Sequence, residues 1–243
     1  MQCIIILSFV AVVYSKTAEI PRDPMINDGL FEGDIAGIDP EQWEDRNAVP
    51  RDSQRWPNGV VPYVVDPSLY GIWELIMKSM RHIEDNSCIR FVHRKNEHNY
   101  LSLYKGNGCW SFWGHLGNGE QKLSLGGGCE YFGTVVHELL HALGFIHEQN
   151  RSDRDDYLNI HWENIEEKWF YAFRKLLPEQ HRRFTSFDYD SVMLYGEKSF
   201  AKNWNVKSMT ARDGRFLDEA YNKPGMSKSD IQRLNTLYQC PRK

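Results

Sequence analysis

His137-Glu138-Leu139-Leu140-His141-Ala142-Leu143-Gly144-Phe145-Ile146-His147 is the stretch on which the reading of this chain turns. Its pattern predicts a helix from about Tyr131 to Leu143, stopped by Gly144. On a helix, His137 and His141 project only about 40° apart, on adjacent turns of one face. Two imidazoles so placed can close on one tetrahedral zinc ion. Glu138, one residue on, lies near the metal but is turned too far to join the pair, which suits a general base acting on water. Gly144 lets the chain leave the helix and bring His147 round as third ligand. Three protein ligands leave a coordination position open, the arrangement of a catalytic site rather than a closed structural one. The expected cofactor is one Zn2+ per chain.

Outward from this stretch, Val60 to Val65 reads as a strand, with Pro62 favouring a sheet edge or a bulge. A helical pattern runs from Asp66-Pro67-Ser68 to about Asp85, with Asp66 or Ser68 as N-cap. Cys88 to Val92, Leu101 to Tyr104 and Gln121 to Leu125 are short strand candidates. Beyond Gly144 the chain is loop-rich, with helical patches near Glu163 to Leu176 and Lys228 to Tyr238.

Hydrophobic residues at 41% and charged residues at 26% exclude wholesale disorder. The net charge of -4, with no basic block, argues against a nucleic-acid partner. The apolar run Ile4 to Val13 is too short to span a bilayer and has the length of a secretory signal core, with Val13 and Ser15 suiting a cleavage site. No other stretch is apolar enough for a membrane anchor. Residues 1–15 are therefore expected to be a signal peptide and the protein to be secreted. Residues 16–46, rich in Pro, Gly and Asp, read as an extended arm. Glu44-Asp45-Arg46 ends this arm on a basic residue, a site for a trypsin-like activating protease to cut before Asn47. Residues 47–243 have the composition of a folded domain. Of the five cysteines, Cys3 leaves with the signal. Cys88, Cys109, Cys129 and Cys240 are expected to form two disulfides, in any of three pairings.

The zinc stretch resembles the extended motif of the metzincins. Glu148 after His147, and Arg151-Ser152-Asp153-Arg154-Asp155-Asp156-Tyr157, narrow the likeness to the astacin family. Ser191-Val192-Met193-Leu194-Tyr195 resembles the astacin Met-turn, Phe31-Glu32-Gly33-Asp34 the astacin pro-segment motif, and the likeness runs from about Asn47 to Cys240. Gly108-Cys109-Trp110-Ser111 and Leu237-Tyr238-Gln239-Cys240 also fit. The resemblance implies an α+β, metzincin-like, two-lobed catalytic domain. A twisted mixed sheet and two long helices would form its N-terminal lobe, with a loop-rich C-terminal lobe. It implies disulfides Cys88–Cys240 and Cys109–Cys129, Met193 beneath the metal, and Tyr195 as a swinging zinc ligand that hydrogen-bonds the tetrahedral intermediate. It also implies that Asp34 binds zinc in the precursor. Leu194 departs from the pattern, which usually has His there, and bears on hydrogen bonding at the turn and on the freedom of Tyr195.

Together these features predict a secreted zinc metalloendopeptidase, made as a zymogen, acting on protein or peptide substrates, without membrane anchor and monomeric. The competing reading is a catalytically impaired secreted binding protein on a protease scaffold. Glu148 stands beside a zinc ligand with no obvious cationic neighbour in sequence, so the freed terminus at Asn47 is expected to pair with it. Asn150-Arg151-Ser152 is a formal glycosylation sequon, expected to stay unused so near His147. Phe112, Trp113, Trp169 and Phe170 read as core or cleft wall, and Lys202 and Arg212 as solvated surface charge.

Overall fold

A computed structural model of the chain describes residues 23–38, 54–178 and 184–241. The signal core and the expected cut between Arg46 and Asn47 lie outside the described residues. The fold is α+β. Its main sheet has six strands: β1 (Ile35–Ala36), β2 (Val60–Val65), β3 (Arg90–His93), β4 (Tyr100–Tyr104), β5 (Cys109–Phe112) and β6 (Glu120–Leu125). Their spatial order is β1-β5-β6-β4-β2-β3. Only β5 and β6 pair antiparallel; the other neighbours are parallel. β2 is an inner strand, against the expectation from Pro62. The proline is tolerated because β2 pairs with β4 only from Tyr63 onward, so that flank has no ladder at Pro62 to break.

Two helices cover the sheet. The first begins later than its apolar pattern predicts. Asp66 accepts from Ser68 N at 2.9 Å and opens a 3-10 stretch, Pro67–Ile72, before helix α1 (Trp73–Asp85). Ile76, Ser79, Met80 and Ile83 form the buried stripe of α1, at the spacing of one helix face. Each buried Ile or Met contributes about 1.5–3 kcal/mol. Helix α2 (Phe132–Ala142) packs against α1 and is buried on every side from Gly133 onward, which explains its apolar run Leu139-Leu140. Trp56 Nε1 and Gly114 N donate to the Ala142 and His141 carbonyls, so α2 ends with its free carbonyls satisfied.

The remaining half is mostly irregular, with a small antiparallel pair β7 (Leu158–Ile160) and β8 (Met209–Ala211) and helix α3 (Lys228–Leu237). The patch expected to be helical over 163–176 forms only 3-10 turns, Trp162–Asn164 and Glu167–Phe173. Its Trp169, Ala172, Phe173 and Leu176 are buried at helical spacing. The backbone, however, is claimed by Asn150, whose Nδ2 donates to the Ala172 and Arg174 carbonyls and whose carbonyl accepts from Leu176 N. Disulfides join Cys88 to Cys240, tying the end of α1 to the end of α3, and Cys109 to Cys129, tying β5 to the approach to α2.

Candidate metal centre

The residues of the zinc stretch meet as their spacing requires. Gly144 takes φ +101°, a left-handed conformation that glycine adopts without strain, and donates to the His141 carbonyl. The chain then turns back under α2 and delivers His147. The three Nε2 atoms stand 3.0 Å (137 to 141), 3.1 Å (137 to 147) and 3.2 Å (141 to 147) apart, with all three rings fully buried. Each Nδ1 already has a partner: the Val192 carbonyl for His137, the Phe145 carbonyl for His141, and Glu32 Oε2 for His147. An Nδ1–H that donates there leaves a bare lone pair on every Nε2. Three converging lone pairs cannot bond one another, whereas one cation about 2.0–2.1 Å from each reconciles them. Imidazole donors without thiolate suit zinc.

A fourth group enters from the N-terminal arm. Asp34 Oδ2 lies 3.1 Å from His137 Nε2 and 3.2 Å from His147 Nε2, and Oδ1 lies 3.4 Å from His141 Nε2. These four residues form the only histidine, cysteine and carboxylate cluster with metal-ligand spacing among the described residues. Asp34 is fully buried, which raises its pKa, but His147 and His141 outweigh burial and hold the carboxyl well below the usual range. Tyr195 donates its hydroxyl to Asp34 Oδ2 at 2.5 Å. The arm is held in this position by its backbone. Ile35 and Ala36 pair with Ser111 and Phe112 at the edge of β5, and Asn27 Nδ2 donates to the Gly33 and Cys109 carbonyls.

Glu138 is fully buried, and neither of its carboxylate oxygens has a hydrogen-bond partner. Burial, then the charges of Asp34 and Asp23, push its pKa well up. Below the histidines lies the turn Ser191 to Tyr195. Met193 and Leu194 are fully buried, and Val192 O is the carbonyl that orients His137. The side chain at 194 packs into the core, while the carbonyls of Ser191 and Leu194 each accept from Lys223 Nζ at 2.6 Å. Asp230, in the first turn of α3, accepts from Ser191 Oγ and Val192 N.

Glu148 has cationic neighbours where its local sequence suggests none, while its expected pairing with the terminus at Asn47 lies outside the described residues. Glu148 is 1% exposed, yet it is not without a cation. Oε1 accepts from Arg151 Nη1 at 3.2 Å and Asp188 N at 2.8 Å, and Oε2 is bound by Arg233 Nη1. Arg151 is only three residues on; Arg233 is 85 residues away and has no local signal. Asp153, Arg151, Glu148, Arg233 and Asp230 thereby form an alternating chain of charge from the His147 loop to the Met193 turn. Sequence reasoning misses Glu32, Lys223, Arg233 and Asp230 as parts of the site. Only Ser227-x-x-Asp230 carries a cue, as a capping pattern at the start of α3.

Comparisons with known proteins point one way. The family model described as astacin, a peptidase family, matches residues 48–239. Astacin-like metalloprotease toxin 1 of Loxosceles intermedia is 42% identical over 225 residues, covering 90% of this chain and 85% of the toxin. Blastula protease 10 of Paracentrotus lividus is 38% identical over 231 residues; the match covers 86% of this chain but only 38% of that protein's length. Among solved structures, high choriolytic enzyme 1, a hatching enzyme zinc-protease from Oryzias latipes, superposes with a TM-score of 0.69 at 40% identity. That match covers 77% of this chain and 94% of the enzyme.

Proposed function

The chain belongs to the astacin family of zinc-dependent metalloendopeptidases, and from that premise we propose that it is a secreted peptidase made in a latent form, with Asp34 as the latency ligand. Residues 1–15 are the signal, 16–46 the pro-segment and 47–243 the catalytic domain, released by a trypsin-like cut between Arg46 and Asn47. The observation that carries the latency reading is the placement of Asp34 among all three histidine Nε2 atoms, with Tyr195 on the same carboxylate oxygen. A carboxylate there takes the position that water needs.

His137, His141 and His147 hold the zinc, which when bound acts as a Lewis acid toward the scissile carbonyl and toward water. Once the arm has left, Glu138 takes the proton of the attacking water and passes it to the leaving amine. Its two unpartnered oxygens suit a group that waits for a proton rather than one fixed by structure. Tyr195, freed of Asp34, donates its hydroxyl to the carbonyl oxygen as negative charge develops there. An extended substrate adds as a strand at the β5 edge that Ile35 and Ala36 occupy in the uncut chain. Met193 and Glu148 act from outside the reacting atoms, beneath and beside the histidines.

The test compares four proteins on one protein substrate, with and without chelator: uncut and cut wild type, and uncut and cut Asp34→Ala. Chelator-sensitive activity in both cut forms, and in the uncut variant but not the uncut wild type, is the expected result. An uncut variant as silent as uncut wild type removes Asp34 as the latency ligand. Cut forms without turnover favour the alternative, a binding protein on a protease scaffold; the intact Glu138 and three histidines speak against it. Among the described residues no helix is long and apolar enough to cross a membrane.

A further inference from the structure

A cavity of about 390 Å³ lies between the arm and the rest of the molecule. Asp23 and Pro24 of the arm line one side of it; Tyr131, Trp204, Glu219 and Tyr221 line the other. Two of its lining residues are linked through the chain to elements of the metal centre. Tyr131 immediately precedes α2, the helix that carries His137 and His141. Glu219 accepts from Gly196 N at 3.0 Å, and Gly196 directly follows Tyr195.

The walls have a definite chemistry. Tyr131, Trp204 and Tyr221 are 50%, 48% and 37% exposed, so three large rings face the opening and not the core. Tyr131 and Tyr221 stand 5.4 Å apart between centroids, tilted at 46°. Glu219 is fixed by Gly196 N and by Ser199 Oγ at 2.8 Å. A Cβ at residue 196 would lie 2.2 Å from Glu219 Cδ, so the glycine is what lets the carboxylate approach the backbone so closely. Of the nearby lysines, Lys198 also lines the cavity but is solvent-exposed; Lys223 is buried, donates to the Ser191 and Leu194 carbonyls, and by its charge opposes the rise that burial imposes on the Glu219 carboxyl. Aromatic faces around a carboxylate attract a cation and disfavour an anion. Asp23 is consistent with this: burial, then the charges of Glu219 and Asp34, push its carboxyl up to about 6.

We infer that, once the arm has left, this cavity is a subsite for a basic substrate side chain, Lys or Arg, with Glu219 as the specificity-determining group and the three rings as its walls. The inference rests on the reading that the arm covers the cleft until it is cut. It assigns the peptidase a substrate class: chains with a cationic residue close to the scissile bond.

The test uses the cut protein and peptides carrying Lys, Gln or Glu at each position flanking the scissile bond. At one position kcat/KM should favour Lys over Glu by about tenfold or more, with Gln between them. Glu219→Gln keeps an acceptor for Gly196 N and Ser199 Oγ while removing the charge. It should bring the Lys-to-Gln ratio to within about twofold of one, and because the ratio is taken within one variant, a general loss of activity cancels. Tyr221→Ala should lower the same ratio without touching the carboxylate. Binding of the same peptides to cut Glu138→Gln protein, read by fluorescence anisotropy, should rank them in the same order without turnover. A flat profile in wild type, or a Lys preference that survives Glu219→Gln, overturns the inference. The latency reading fails separately: an uncut chain that cleaves the Lys peptide as fast as the cut one shows that the arm covers nothing, while the Lys-to-Glu ratio still decides the charge of the pocket.

Discussion

His147 Nδ1 lies 2.6 Å from Glu32 Oε2, so the arm touches the outer nitrogen of one histidine while Asp34 faces the inner nitrogens of all three. A carboxylate on the far nitrogen of an imidazole fixes the ring and strengthens it as a ligand, commonly by 10–100-fold in metal affinity. Glu32→Gln should therefore weaken zinc binding by about tenfold in the uncut chain and leave the cut chain unchanged. Competition against a chelator on both forms measures this. Equal affinities for wild type and variant before cutting would show that the contact does not act on the metal.

Glu138→Gln should keep its zinc and lose about 10²–10⁴-fold or more in turnover, because an amide cannot accept the proton. Metal content and peptide hydrolysis are read on one preparation. Substantial residual turnover would remove Glu138 from the role of base.

Arg233→Met leaves Glu148 buried with Arg151 and the Asp188 amide as its remaining partners. Removing one partner of such a pair costs about 3–5 kcal/mol. It should also change the importance of the mature terminus. With both guanidiniums present, Glu148 has three donors, so forms beginning at residue 46, 47 or 48 should melt together. In Arg233→Met, the form beginning at Asn47 should melt highest, because an amine then has an underpaired carboxylate to reach. Identical melting temperatures across the three variant forms would separate the terminus from Glu148.

Burial pushes the Lys223 ammonium from 10.5 down to about 8, with Asp230 and Glu219 opposing. The folded pKa is the lower one. The buried charge therefore opposes folding fully below about pH 8, and that opposition fades as the pH rises to 10.5. Wild type should gain stability relative to Lys223→Met across this window. Denaturation of both proteins at pH 8, 9 and 10 tests it; a constant difference would contradict the sign.

Asn150 should carry no glycan. Its side chain is fully buried and donates to the Ala172 and Arg174 carbonyls at 2.9 and 2.8 Å. Endoglycosidase treatment of protein produced through a host's secretory pathway should not change the mass assigned to this site, whereas Asn150→Ala should lower the melting temperature. A glycan found at Asn150 would require the 172–176 segment to pack otherwise.

The zinc stretch is legible because its information is local. His137 and His141 share a helix face, Gly144 needs only its own φ, and His147 follows within one turn of chain. The alternating strands β4 and β6 can be read in the same way. What is not legible depends on partners far along the chain. Strand β5 is short and gains its ladder from β6. Residues 163–176 have helical spacing but lose the helix to Asn150. Glu32 looks like an ordinary residue of the arm until the fold sets it against His147, 115 positions away. Pro62 misleads in the other direction, since its edge preference is met by half a strand rather than a whole one.

The two disulfides differ in reach, closing separations of 20 and 152 residues. On loop-closure entropy alone the short one stabilises by about 3 kcal/mol and the long one by about 5 kcal/mol. The difference also sets an order of assembly. During synthesis, Cys109 and Cys129 emerge close together and can oxidise while β5 and β6 are forming. Cys88 is made before both of them, yet its partner arrives only after α3. In the interval, Cys88 is a free thiol beside two nearer candidates. Correct pairing therefore depends on how quickly Cys109 and Cys129 find each other, and the protein should be most sensitive to a disulfide isomerase during translation of the stretch that contains the zinc histidines.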